Sequence, residues 1–178
     1  MSESDVTVRG IGITIYPGSA SEGDMLSFAA HAIHEAHQHG LIAIVWAYLR
    51  GKHVEDEQDP ALIAGAAGLA NALGADFVKV KPPHATAAKT SAQHLATAVS
   101  AAGNTRVICS GLSLQEPEAF LQQLYDQINI GGTAGCATGR NIFQRSKAEA
   151  VAMTEAISAI VYDNKTASEA LALFKKGR

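Results

Sequence analysis

The chain has 178 residues, 47% apolar and 17% charged, a balance that allows one sizeable core and excludes a disordered chain. A net charge of −3 and a pI near 6.1 give no basic surface for nucleic acid or an anionic membrane. No apolar run approaches the ~20 residues needed to span a bilayer, and the polar, acidic start Met1-Ser2-Glu3-Ser4-Asp5 is unlike a signal peptide.

Strand and helix signals then alternate along the chain. Residues 6–16 read as a strand closed by Pro17-Gly18-Ser19, and 22–39 as a helix ended by Gly40. A strand over 41–48 leads into a loop over 49–59. An Ala-rich helix over 60–73 has Asp59 as its N-cap and Gly74 as its stop. A strand over 75–81, a helix over 85–102 and a strand over 106–110 follow. The helix over 116–129 tolerates Pro117 in its first turn. A short strand over 133–138 and helices over 147–162 and 167–176 complete the chain. Five strand-then-helix units in succession predict an α/β fold with a parallel sheet, in a single domain over residues 1–178.

Polar residues gather at the C-terminal ends of these strands: Trp46 and Tyr48, Lys79 and Lys81, Ser110 and Gly111, Gly139 and Arg140. In barrels of alternating strands and helices the active site lies on that face. Lys79 and Lys81 are two apart on a strand and share a face. Desolvation and the neighbouring like charge are expected to lower the pKa of Lys79. A neutral amine there is a nucleophile for a carbonyl carbon and can form a Schiff base. The alternative is a strand end whose lysines reach water. Trp46 and Tyr48 also share a face, on the preceding strand, and a Tyr48 hydroxyl can shuttle a proton at the neighbouring lysine. The alternative is an aromatic pair packed under helices. Glycines at 111 and 139 permit close approach to an anion, and Arg140 adds a charge. Two such loops on consecutive strand ends point to a phosphorylated substrate.

His31, His34, His37 and His39 crowd one helix. His34-Glu35-Ala36-His37 is one residue short of the zinc-binding spacing, so a solvated helix face is expected, with no metal and no cofactor. Glu55-Asp56-Glu57 and Asp59 read as a solvated loop. Cys109 and Cys136, in apolar strands, read as buried free thiols of a cytoplasmic protein.

Four motifs resemble a known family: Thr14-Ile15-Tyr16-Pro17-Gly18-Ser19 with Glu22, Val45-Trp46-Ala47-Tyr48-Leu49-Arg50-Gly51, Gly74-Ala75-Asp76-Phe77-Val78-Lys79, and Thr138-Gly139-Arg140-Asn141-Ile142-Phe143-Gln144. In order and spacing they are similar to the archaeal-type (DhnA-type) class I fructose-bisphosphate aldolases. The resemblance implies that Lys79 is the Schiff-base lysine, Tyr48 the proton-transfer residue and Trp46 part of the site wall. It implies that Ser110, Gly111, Gly139 and Arg140 bind a substrate phosphate. The implied reaction is reversible, metal-free cleavage of fructose 1,6-bisphosphate to dihydroxyacetone phosphate and glyceraldehyde 3-phosphate. Expected partners are a phosphorylated sugar and further copies of the chain in a homo-oligomer.

Two departures accompany the resemblance. The family has Ser-Gly-Gly where this chain has Ser110-Gly111-Leu112, so Leu112 is strained if that position needs φ > 0. The family fold is a (β/α)8 barrel of about 250 residues, and the resemblance covers only its fourth through eighth units and a C-terminal helix. The chain is therefore expected to be a partial TIM barrel, a fragment or half of a split enzyme, without the first-strand aspartate of the family site. A Schiff-base transaldolase-like synthase, a thiolase acting on a phosphorylated signalling molecule (whose tail resembles residues 139–171) and a non-catalytic remnant are the alternatives.

Overall fold

The computed structural model describes residues 7–178. Five strands form one parallel sheet in chain order: β1 (Gly10–Ile15), β2 (Ile42–Ala47), β3 (Phe77–Val80), β4 (Arg106–Ser110) and β5 (Gly135–Ala137). Helices α1 (Glu22–Gln38), α2 (Pro60–Ala72), α3 (Ser91–Ala101) and α4 (Pro117–Asn129) connect consecutive strands. After β5 come a single turn, α5 (Arg140–Phe143), and two longer helices, α6 (Lys147–Asp163) and α7 (Ala167–Gly177). This is the partial TIM barrel expected, five βα units of an eight-unit architecture.

Four of the helices, α2, α3, α6 and α7, begin where a side chain accepts from their free N–H groups. Asp59 accepts from Ala61 N and Leu62 N, both at 2.9 Å, with Pro60 in the first turn. Thr90 with Gln93, Ser146 with Glu149, and Thr166 with Glu169 form capping boxes that start α3, α6 and α7. The Thr90 box corrects one expectation: the helix predicted over 85–102 starts at Ser91, because the Thr90 hydroxyl accepts from Gln93 N and the Gln93 side chain accepts from Thr90 N. The first strand begins at Gly10 and not at 6; Thr7 to Arg9 are not strand, and residue 6 lies outside the described residues. The turn α5 lies where no helix is predicted.

Alternation along the strands sorts side chains onto two faces. Ile13, Ile15, Val45, Val78, Val80 and Val107 point to the helix side and are buried against α1 to α3. A second cluster joins Phe120, Leu121 and Leu124 of α4 to Met153 and Ile160 of α6 and Phe174 of α7. The opposite face of the sheet is open: Gly10, Gly12 and Thr14 are exposed, and Ile42 is 42% exposed. Register aligns Thr14, Trp46, Lys79, Ile108 and Gly135 in one row across that face. Gly12 leaves room for the Trp46 indole beside this row, since a Cβ there would stand 1.9 Å from it.

Candidate active site

The strand ends of β2 to β5 converge on a cavity of about 420 Å³. Tyr48, Lys79, Ser110, Gly111, Gly139 and Arg140 all line it, joined by Lys81 and Arg50. Lys79 is half-buried, and its Nζ lies 6.0 Å from the centroid of the Tyr48 ring. Trp46 does not line this cavity. It is the register partner of Lys79 on the neighbouring strand, with its ring over Gly12. Six of the seven residues to which the resemblance assigns site roles thus share one cavity, and the seventh forms the sheet surface beside it.

The loops that close the cavity are built around Asn141, which is fully buried. Its Nδ2 donates to Gly111 O at 2.7 Å and Ser113 O at 3.0 Å, and its Oδ1 accepts from Gln115 N at 2.9 Å. Arg145 completes the frame by donating to Asn141 O at 2.8 Å and Gln115 O at 2.7 Å. Close packing follows: a Cβ at Gly111 would stand 2.8 Å from Thr138 Cβ. The Ser110 and Thr138 hydroxyl oxygens are buried here with no hydrogen-bond partner among the described residues. Leu112 adopts φ 53°, the left-handed conformation that its replacement of glycine put at issue.

The acidic loop is not simply solvated. Glu57 bonds Lys81 through Oε2, and its Oε1 lies 3.9 Å from Arg50 Nε. The Lys81 hydrogen bond holds the Glu57 carboxyl below the usual carboxylate range, against a smaller opposing effect of burial. Lys81 is therefore one half of an ion pair, which removes the uncompensated like charge that the sequence suggested beside Lys79. The signal for Glu57 was topological: a β2–α2 loop lies on the strand-end face and reaches the next strand.

The histidines of α1 are exposed, two bond within the helix and one reaches the start of β3. His31 meets Ser27 O at 2.8 Å, His34 meets Gln38 at 2.9 Å, and His37 meets Asp76 at 3.0 Å. Asp76 also accepts from Ala43 N at 2.8 Å and so fastens β2 to the start of β3. Among the described residues no cluster of His, Cys, Asp and Glu is arranged to hold a metal, and no helix is long and apolar enough to cross a membrane. Burial, with Cys136 alongside, pushes the Cys109 thiol up to about 12, and burial pushes Cys136 up to about 11. Neither is a thiolate nucleophile near neutral pH.

The model of the DeoC/LacD family aldolases matches residues 6–145. The chain belongs to that family. It is 52% identical over 171 residues to the fructose-bisphosphate aldolase/6-deoxy-5-ketofructose 1-phosphate synthase of Methanocaldococcus jannaschii, covering 96% of this chain and 54% of that protein. It superposes on a fructose-bisphosphate aldolase structure from Slackia heliotrinireducens with a TM-score of 0.94 and 54% identity, covering 97% of this chain and 55% of that one. An archaeal fructose-1,6-bisphosphate aldolase, solved with its catalytic Lys covalently bound to the carbinolamine intermediate, matches at TM-score 0.75 and 33% identity, covering 86% of this chain and 58% of that one. The chain spans little more than half the length of these relatives.

Proposed function

We propose that the chain carries the Schiff-base portion of a class I fructose-bisphosphate aldolase, with Lys79 as the nucleophile. The observation that carries this reading is the position of Lys79: half-buried on the open sheet face, beside Tyr48, in a cavity also lined by Ser110, Gly111 and Arg140. The covalent lysine adduct named for the archaeal aldolase supports the same chemistry.

In this mechanism the Lys79 amine adds to the C2 carbonyl of fructose 1,6-bisphosphate, and loss of water gives an imine. The cationic imine accepts the electron pair of the C3–C4 bond as that bond breaks. Tyr48 shuttles the proton that leaves the C4 hydroxyl. Glyceraldehyde 3-phosphate departs; the remaining enamine is protonated at C3, and hydrolysis releases dihydroxyacetone phosphate. The imine itself is the electron sink, so the step calls for no metal. Arg140, the backbone N–H groups of the Gly111 and Gly139 loops and the free Ser110 hydroxyl are proposed to hold one substrate phosphate. Trp46 is proposed as an apolar wall beside the imine.

Incubation with fructose 1,6-bisphosphate tests this reading. Equal release of the two triose phosphates, lost in Lys79→Met, is expected; no cleavage by the chain supplied with the remaining barrel units contradicts it. The second activity in the name of the Methanocaldococcus jannaschii relative favours one further reading, a Schiff-base synthase acting on a related sugar phosphate. Product analysis separates the two.

The setting proposed is cytoplasmic sugar-phosphate metabolism of the glycolysis type, supported by the free thiols Cys109 and Cys136. Self-association of the isolated chain is also proposed. The outer edges of β1 and β5 have no strand partner among the described residues, and unpaired edges beside exposed apolar surface favour association. Sedimentation should give a species larger than the monomer.

A further inference from the structure

Lys79, on β3, and Lys81, one residue past its end, both line the cavity, so two primary amines are available to a carbonyl there. Their surroundings differ. Lys79 faces the Tyr48 ring and makes no ion pair among the described residues. Lys81 is bonded to Glu57. A protonated amine held by a carboxylate has no free electron pair with which to attack.

Glu57 is held in place by the chain on both sides of it. Gln58 Nε2 donates to Pro82 O at 2.6 Å, and His84 N donates to Gln58 O at 2.9 Å. Asp56 lies 3.4 Å from His84 Nε2, and Asp59 is fastened as the N-cap of α2. These contacts stitch the β2–α2 loop to the segment just after Lys81. The carboxylate is thus presented to the Lys81 ammonium by backbone that is itself tied down.

We propose that Glu57 is a positioning residue that withholds Lys81 from reaction, leaving Lys79 as the amine presented to a carbonyl substrate. The proposal rests on the Schiff-base reading of the cavity and adds to it the reason one of two adjacent lysines is selected.

Two reagents on the full chain test it, each read residue by residue by mass spectrometry. Reductive methylation with formaldehyde and cyanoborohydride reports amine availability without any sugar-phosphate site. Dihydroxyacetone phosphate with borohydride reports imine formation in the cavity. In Glu57→Gln, methylation of Lys81 should rise about fivefold, the factor that roughly 1 kcal/mol of ion pairing withholds. Methylation of Lys89 and Lys165 should not change, which distinguishes local release from general loosening. The dihydroxyacetone phosphate label, confined to Lys79 in the natural chain, should divide between Lys79 and Lys81. Glu57→Asp should restore much of the original selectivity. Unchanged Lys81 methylation in Glu57→Gln overturns the proposal. A natural chain that takes no label at Lys79 overturns the Schiff-base reading instead, and the methylation arm still decides the role of Glu57.

Discussion

Asn141 Nδ2 lies 2.7 Å from Gly111 O, and this bond joins the loop after β4 to the turn α5 that follows β5. Because Asn141 also donates to Ser113 O and accepts from Gln115 N, one buried amide fixes the backbone on which the candidate phosphate groups sit. Asn141→Ala leaves those backbone groups unpaired and should cost about 1–3 kcal/mol in urea unfolding. Asn141→Asp should cost more, because a carboxylate there meets two carbonyl oxygens and has no N–H to give them. Equal stability of Asn141→Asp and the natural chain would contradict this.

Leu112 has φ 53°, a conformation that costs a residue with a Cβ about 1–2 kcal/mol. Glycine removes that strain but adds freedom to the unfolded chain, so Leu112→Gly should lie within about 1 kcal/mol of the natural chain. Leu112→Val, β-branched at the same φ, should be less stable than both. Thermal midpoints of the three decide the order.

The Glu57 carboxyl has a folded pKa below its ordinary 4.5 because Lys81 bonds its charged form. A depressed carboxyl contributes stability above the unfolded value, and that contribution is lost as pH falls through the folded value. The stability difference between the natural chain and Glu57→Gln should therefore shrink as pH drops below 4.5. Glu57 is 40% exposed, so the difference should stay below about 1 kcal/mol. A difference that grows on acidification would contradict the pairing.

Arg140 is exposed at the cavity edge, where its charge can reach a bound phosphate. Arg140→Ala should weaken a phosphorylated ligand by about 1.5–3 kcal/mol, with little effect on the unphosphorylated sugar. Calorimetry with both ligands measures the contrast, and equal losses would make Arg140 structural.

Much of this was legible in the chain because its signals are local. Alternating apolar residues, the Asp59 cap and the glycine stops place most elements within a residue or two. Lys79, Tyr48 and Arg140 stood out because polar groups at successive strand ends must share a face. What escaped depends on partners distant in sequence. Glu57 looked like one more acid in a polar loop, and only the neighbouring strand end supplies Lys81. Asn141 frames a loop 26 to 30 positions away. The segment 85–90 has helical composition, and the Thr90 box starts the helix after it.

The central claim is that Lys79 forms an imine with a ketose phosphate. Borohydride treatment in the presence of dihydroxyacetone phosphate, followed by peptide mass mapping, tests it most directly. A reduced adduct is expected on the peptide bearing Lys79, at Lys79 itself, and is lost in Lys79→Met. An adduct at Lys81 alone, or equal labelling of the natural chain and Lys79→Met, would contradict it.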